Sequence, residues 1–412
     1  MKVDHVEMTR YAELIIRQGL CIKEGEKLQI RCNEHGLALA EAVGMEAYRQ
    51  GAIDVQLTLG LDELAKARYT EAPDEAMDFF PDYRVEYMEE MLKDGYHRLL
   101  IDSMDPELLK DADPKKVTQY SSLMMKKQKP LQKYSLESKV KWCIAAFPSP
   151  AWAKSVFPAE EREQGMAKLW ELIKSSVRLD REDPVKAWEE QDELLKKRCA
   201  YLNSKQFEKF HYEAQGTDFW VHMAEGHHWQ GGSFERRGGN YFPNLPTEEV
   251  FSAPHRAKAE GRIQATLPLS LHGHLIEDFY FVFKDGKVVD FGAKRGEEIL
   301  KGLLENDEGA MRLGEIALVD VESPIFQSGV IFNNTMYDEN AACHFALGNA
   351  ISTNLKGYED ATEEEREARG FNVSNIHVDF MVGSESLKIT GYEADGSRDV
   401  IMEQGRWTEK LR

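Results

Sequence analysis

Residues 27–60 read KLQIRCNEHGLALAEAVGMEAYRQGAIDVQLTLG, and the order of patterns in this stretch decides the fold class. KLQIRC, from Lys27, alternates apolar and polar residues as a strand does. LALAEAVGMEAYRQG, from Leu37, repeats its apolar residues at helical spacing, and IDVQLTLG, from Ile53, returns to strand character. Strand, helix and strand in that order predict a small α/β unit with parallel strands. Working outward, residues 8–19 read as a helix, and YHRLLIDSM and KVKWCIAAF as further strands, the latter closed by Pro148 and Pro150. A long charged helix is expected over 184–200, with Asp183 as N-cap and Pro184 in the first helical position.

The chain has 412 residues, more than a single core normally organises, and 42% of them are apolar, so two domains are expected. The net charge of −20 disfavours a phosphate-backbone footprint and argues against nucleic acid as a partner. The opening MKVDHVEMTRYAELIIRQGL lacks a signal-peptide core, and no later run approaches the roughly 20 apolar residues of a membrane span. A cytoplasmic protein without membrane contact is the expectation. Five cysteines (Cys21, Cys32, Cys143, Cys199 and Cys343) show no CxxC pair, which fits a reducing compartment and leaves any metal to oxygen and nitrogen ligands. Cys343 reads as a small residue packed on a helix.

After TDFWVHM the composition shifts to a glycine-rich stretch, EGHHWQGGSFERRGGNYFPNLP, which places a domain boundary near 220. The expected organisation is an N-terminal α/β domain over 1–220 and a β-rich domain over 221–412, mixed α+β in class. RIQATLPLSL, FYFVF and VVDFGA are its strands, the last two joined through Asp285-Gly286, a favoured tight-hairpin pair. A helix is predicted from about 339 over ENAACHFALGNAI. Another begins at Thr362, with Glu365 completing a capping box and Gly370 as its stop. The glycine-rich loop matches no nucleotide-cradle spacing, so it reads as a flexible loop lining a site. His227 and His228 within it read as surface histidines, and His272 and His274, on one strand face, as structural or substrate-side residues.

NIHVDFMVGS, residues 375–384, raises a different question, because His377 and Asp379 share one face of a strand whose other face is apolar. Three other stretches place acids and a histidine at the ends of apolar segments: NLPTEEVFSAPHR with Glu248 and Glu249, RLGEIALVD with Glu315, and YDENAACHFALG with Asp338, Glu339 and His344. Glu249, Glu315, Glu339, His344, His377 and Asp379 form the carboxylate and imidazole mix that hard to borderline divalent ions prefer. Six such groups suggest two ions sharing a carboxylate and a water, an arrangement suited to hydrolysis.

NLPTEEVFSAP, LGEIALVD, NNTMYDENAACHFALG and NIHVDFMVGS with the following GYEADGSRDVIMEQGRW resemble, in this order, the C-terminal half of the M29 metalloaminopeptidases, the aminopeptidase T, AmpS and PepS group. EGEKLQIRCNEHGLALAEAVGMEAYRQGA carries a looser likeness in the N-terminal half. The resemblance implies an exopeptidase acting on peptides with a free N-terminus, two divalent metal ions (zinc, cobalt or manganese) and a homodimer. It places the metal ligands on Glu249, Glu315, His344, His377 and Asp379, with Glu339 matching a further acid of the pattern. Where the family pattern carries a tyrosine, seven residues after His344, this chain has Ile351. Loss of an oxyanion-stabilising hydroxyl typically costs about 10²–10³ in rate; Tyr337, Tyr358 or the cationic edge of an ion are the alternative donors, and plain packing is the other reading of both tyrosines.

The mechanism expected is attack by a metal-activated water, with Glu315 or Glu339 as the base that passes the proton to the leaving amine. Two rivals stand beside it. One is another binuclear hydrolase such as a phosphoesterase, for which Arg256, Arg236 and Arg237 are the phosphate-binding candidates; the other is a catalytically weakened or silent peptide-binding relative, suggested by Ile351.

Overall fold

The computed structural model describes residues 3–131, 134, 140–236, 239–271, 274–358 and 360–412. His272 and Arg237 lie outside the described residues. The fold is mixed α/β, and the chain forms two compact units: Met1–Glu189 with Ser233–Pro246, and Glu190–Gly232 with Thr247–Arg412. No helix among the described residues is long and apolar enough to cross a membrane.

The first unit is built as residues 27–60 predict. Strands β1 (Lys27–Asn33), β2 (Asp54–Gly60), β3 (Tyr96–Asp102) and β4 (Trp142–Ala146) pair in parallel, in the order β4-β3-β1-β2. A short strand at Asn244–Leu245 extends the sheet beside β4. Helix α1 (His5–Leu14) runs into a wider turn at Ile15–Gly19, and α2 (Leu37–Arg49) packs Leu39, Ala40, Val43 and Ala47 into the interior. The long helix α3 spans Pro184–Lys205, and Asp183 accepts the Lys186 backbone N–H at 3.1 Å, as its N-cap reading requires.

Among the described residues, two sheets make up the second unit. The larger has nine strands; its central members, Pro254–Gln264, Thr217–Met223 and Lys209–Ala214, are antiparallel. His274–Lys284 and Lys287–Arg295 form the expected hairpin, with positive φ at both Asp285 (51°) and Gly286 (71°). The smaller sheet has the order β9-β8-β7-β6-β5, from β5 (Gln230–Gly231), β6 (Val250–Ser252), β7 (Leu313–Leu318), β8 (His344–Gly348) and β9 (His377–Met381). Its apolar face contributes Val250, Ile316, Leu318, Phe345, Leu347 and Phe380 to a core shared with Phe210, Tyr212, Phe219, Phe281 and Phe283 of the larger sheet. Phe345 lies 5.0 Å from Tyr212 and 5.5 Å from Phe219, ring centre to ring centre. Such aromatic contacts add about 0.5–1.5 kcal/mol each beyond area burial.

One expected element is corrected here. The helix over ENAACHFALGNAI does not form: α4 is confined to Thr335–Glu339, and His344 begins strand β8. Cys343, read as a helix residue, lies just before that strand, buried, with its Sγ 3.2 Å from the Val319 carbonyl. A strand buried on both faces presents a continuous apolar run, which periodicity alone does not separate from a buried helix. Helix α5 (Glu363–Ala368) does form with both capping-box bonds to Thr362 and Glu365, and Gly370 follows at φ 95°.

Candidate metal centre

The cross-strand register places the chemistry on the second face of the smaller sheet. Glu315 pairs with Ala346, which pairs with Asp379; one row along, Ala317 pairs with His344, and Gly348 pairs with His377. Directly paired residues share a face, so Glu315, His344, His377 and Asp379 project together. Ala317, Ala346 and Gly348 stand between them and leave the space above the sheet open. Glu249 enters from the residue before β6, and Glu339 from the last residue of α4.

His344 Nε2 lies 3.1 Å from Glu249 Oε2 and 3.6 Å from Glu315 Oε1. His377 Nε2 lies 3.6 Å from Glu315 Oε2 and 3.5 Å from Asp379 Oδ1. Two groups result, Glu249-Glu315-His344 and Glu315-His377-Asp379, each with ligand atoms within 4.8 Å of one another. Glu315 belongs to both. In each histidine Nδ1 faces a backbone carbonyl, Ala342 at 3.1 Å and Asn349 at 2.7 Å, which leaves Nε2 directed at the carboxylates.

Electrostatics point the same way. Burial raises Glu315 above the ordinary carboxylate range. Burial, then Asp379 and Glu249, holds Glu339 far above it. Burial works against charge on both histidines, yet Glu249 and Glu315 keep His344 well above its usual value, and Asp379 lifts His377 to about 10. Burial would raise Asp379 too, but the facing His377 brings it below normal. Among the described residues, no hydrogen-bond donor meets the geometry for the buried Glu249 Oε2, Glu315 Oε2 and Asp379 Oδ1. Carboxylate oxygens short of donors, oriented imidazoles and mutual repulsion among acids are what divalent metal would resolve, so the residues fit a metal.

A third grouping, Glu34, His35 and Asp62, contrasts with these. There Glu34 accepts the Asp62 backbone N–H and Asp62 accepts the Asn33 side chain, so its carboxylates are engaged in local structure. Glu248, adjacent to Glu249, is likewise committed, accepting from Gln191 at 2.8 Å. His227 is corrected from a surface residue to a buried one, lowered to about 4 by burial, with Nδ1 beside the Ala224 carbonyl. Tyr337 is buried and stacks on Phe332 at 4.7 Å, and Tyr358 packs on the cluster containing Ala350 and Leu355. Arg256 is ion-paired with Glu367 at 2.6 Å rather than presented to a ligand phosphate.

Contributors that sequence reading missed are the carbonyls of Ala342 and Asn349 and the small residue Ala346. Asn340, which the sequence reading places on a helix face with His344, has a different part: its side chain accepts the Glu248 backbone N–H at 2.6 Å and so fixes the approach to Glu249. Asn340 directly follows Glu339 in the quoted motif, which was the available signal. Backbone carbonyls carry none.

The family model described as thermophilic metalloprotease (M29) matches residues 4–407. Aminopeptidase 2 of Geobacillus stearothermophilus is 40% identical over 406 residues, covering 98% of both chains. Aminopeptidase T of Thermus thermophilus is 40% identical over 401 residues, covering 97% of this chain and 98% of that one. The solved structure of wild-type AmpT from Thermus thermophilus superposes with a TM-score of 0.91 at 39% identity, covering 98% of this chain and 99% of the other.

Proposed function

Because the chain belongs to the M29 family of metalloproteases and is an aminopeptidase of that family, we propose that it removes N-terminal residues from peptides at the Glu315-centred cluster with two divalent ions. The observation that carries this reading is the pair of ligand groups sharing Glu315. Glu249 and His344 would hold one ion, His377 and Asp379 the other, and Glu315 would bridge them. Zinc, cobalt or manganese bound there supplies Lewis acidity for the scissile carbonyl and lowers the pKa of a water.

The protein's own groups do the rest. The crowded carboxylates attract the free α-amine of the peptide, which selects for an unblocked N-terminus. Glu339 stands in neither ligand group; once cations offset the burial and the Asp379 and Glu249 charges that favour its protonated form, it would take the proton of the attacking water and deliver it to the leaving amine. Glu315, a member of both groups, would serve as the shared ligand rather than the base. The engagement of Arg256 with Glu367 speaks against phosphate as the substrate group.

Aminoacyl-p-nitroanilides tested on protein of known metal content, before and after chelation and re-addition of cobalt or zinc, provide the check. Metal-dependent release without cleavage of N-acetylated substrates is expected. Stoichiometric metal with no release would favour the silent-relative reading. Homodimer assembly, testable by light scattering, and a cytoplasmic setting, in keeping with five free cysteines, belong to the same proposal.

A further inference from the structure

The pairing of β7 with β8 is interrupted once. Leu313 pairs with Leu347, but Glu315 pairs with Ala346, so two steps on β7 oppose one step on β8 and Gly314 is the extra residue. An unbroken antiparallel register would instead set Glu315 opposite Phe345. Leu313, Leu347 and Phe345 all belong to the apolar core, so in that register Glu315 would face the core. A bulge redirects the side chain that follows it. Here that side chain is the carboxylate shared by the two ligand groups.

Gly314 also lies against the peptide after β8. A Cβ at this position would stand 2.3 Å from the Gly348 carbonyl oxygen and 2.5 Å from that of Asn349. Both contacts are with backbone, which cannot swing aside as a long side chain can. The Asn349 carbonyl is the group 2.7 Å from His377 Nδ1, and the Asn349 N–H is itself tied to the Ile376 carbonyl at 2.6 Å. One missing methyl group therefore permits both the turn of Glu315 toward the site and the seat of the His377 ring.

We propose that Gly314 is a positioning residue of the metal centre, whose bulge and close backbone approach set Glu315 and His377 together and so build the Glu315-His377-Asp379 ion position. This rests on the two-ion reading above. Gly314→Ala should displace the Asn349 carbonyl and weaken the ion of that position by about 10–100-fold, the usual cost of losing support behind a ligand. The Glu249-Glu315-His344 position should be affected less, because His344 is oriented by Ala342 instead.

Calorimetric titration of metal-free protein with zinc, read beside thermal melting, tests this. Wild type should take up two ions, and the ion weakened in Gly314→Ala should be the one weakened in His377→Gln, not the one weakened in His344→Gln. Gly391→Ala, where an added Cβ would meet the Phe207 ring at 2.9 Å in the larger sheet, controls for strain alone. It should lower the melting temperature and keep both ions. Wild-type affinities in Gly314→Ala would overturn the role of Gly314, and equal weakening of both ions would overturn its part in seating His377 while leaving only the turn of Glu315. A wild-type chain that binds a single ion would instead overturn the two-ion reading.

Discussion

Glu339 differs from the other acids of the centre in joining neither ligand group. Glu339→Gln should therefore lower kcat by about 10²–10⁴, the range of a general base, while metal content stays at the wild-type level; turnover paired with elemental analysis checks both. His377 is raised to about 10 in the metal-free chain, above its unfolded value. Its protonated form thus stabilises the metal-free fold fully below roughly pH 6.5, and that contribution is lost as pH climbs through about 10. Metal needs the neutral ring, so ion uptake at pH 7 should release protons and tighten as pH rises. Titrations in buffers of different ionisation enthalpy should show that release, and proton-neutral binding would contradict it. Ile351→Tyr offers a gain-of-function check: if the missing hydroxyl limits the rate, kcat should rise by up to about 10²–10³.

At the level of elements, β8 carries the most consequence for its length. Phe345 and Leu347 pack into the core on one face, while His344, Ala346 and Gly348 form the floor of the site on the other. Ala346→Val should press on both Glu315 and Asp379, its row neighbours, and reduce ion occupancy with a smaller loss of stability. Phe345→Ala should do the reverse, costing about 3–5 kcal/mol in denaturant unfolding, with ligand geometry retained in the folded fraction. This strand was also the least legible element. Its alternation was hidden because both faces are buried, and the alanine-rich ENAACHFALG favours a helix on local propensity. Where turn chemistry is local, as at Asp285-Gly286 and in the Thr362 capping box, reading and structure coincide.

For the molecule as a whole, the centre gathers acids that repel one another within a fold whose core lies on the opposite face of the same sheet. Bound ions stabilise only the folded arrangement, by about 2.7 kcal/mol when free metal is 100 times Kd. Chelation should accordingly lower the melting temperature of the second unit, and a scan that separates the two units should show the first unit's transition unmoved. The parallel βαβ start, the ligand types and the resemblance of four ordered motifs were written in the chain itself, because periodicity, turn chemistry and motif order are local properties. Tertiary structure alone decided that Asn244–Leu245 joins the first unit's sheet, that His344 lies on a strand, and that one extra residue in β7 turns Glu315 toward His377. These depend on which strands meet and in which register, and register follows from packing both sheet faces at once, which no single stretch of sequence contains.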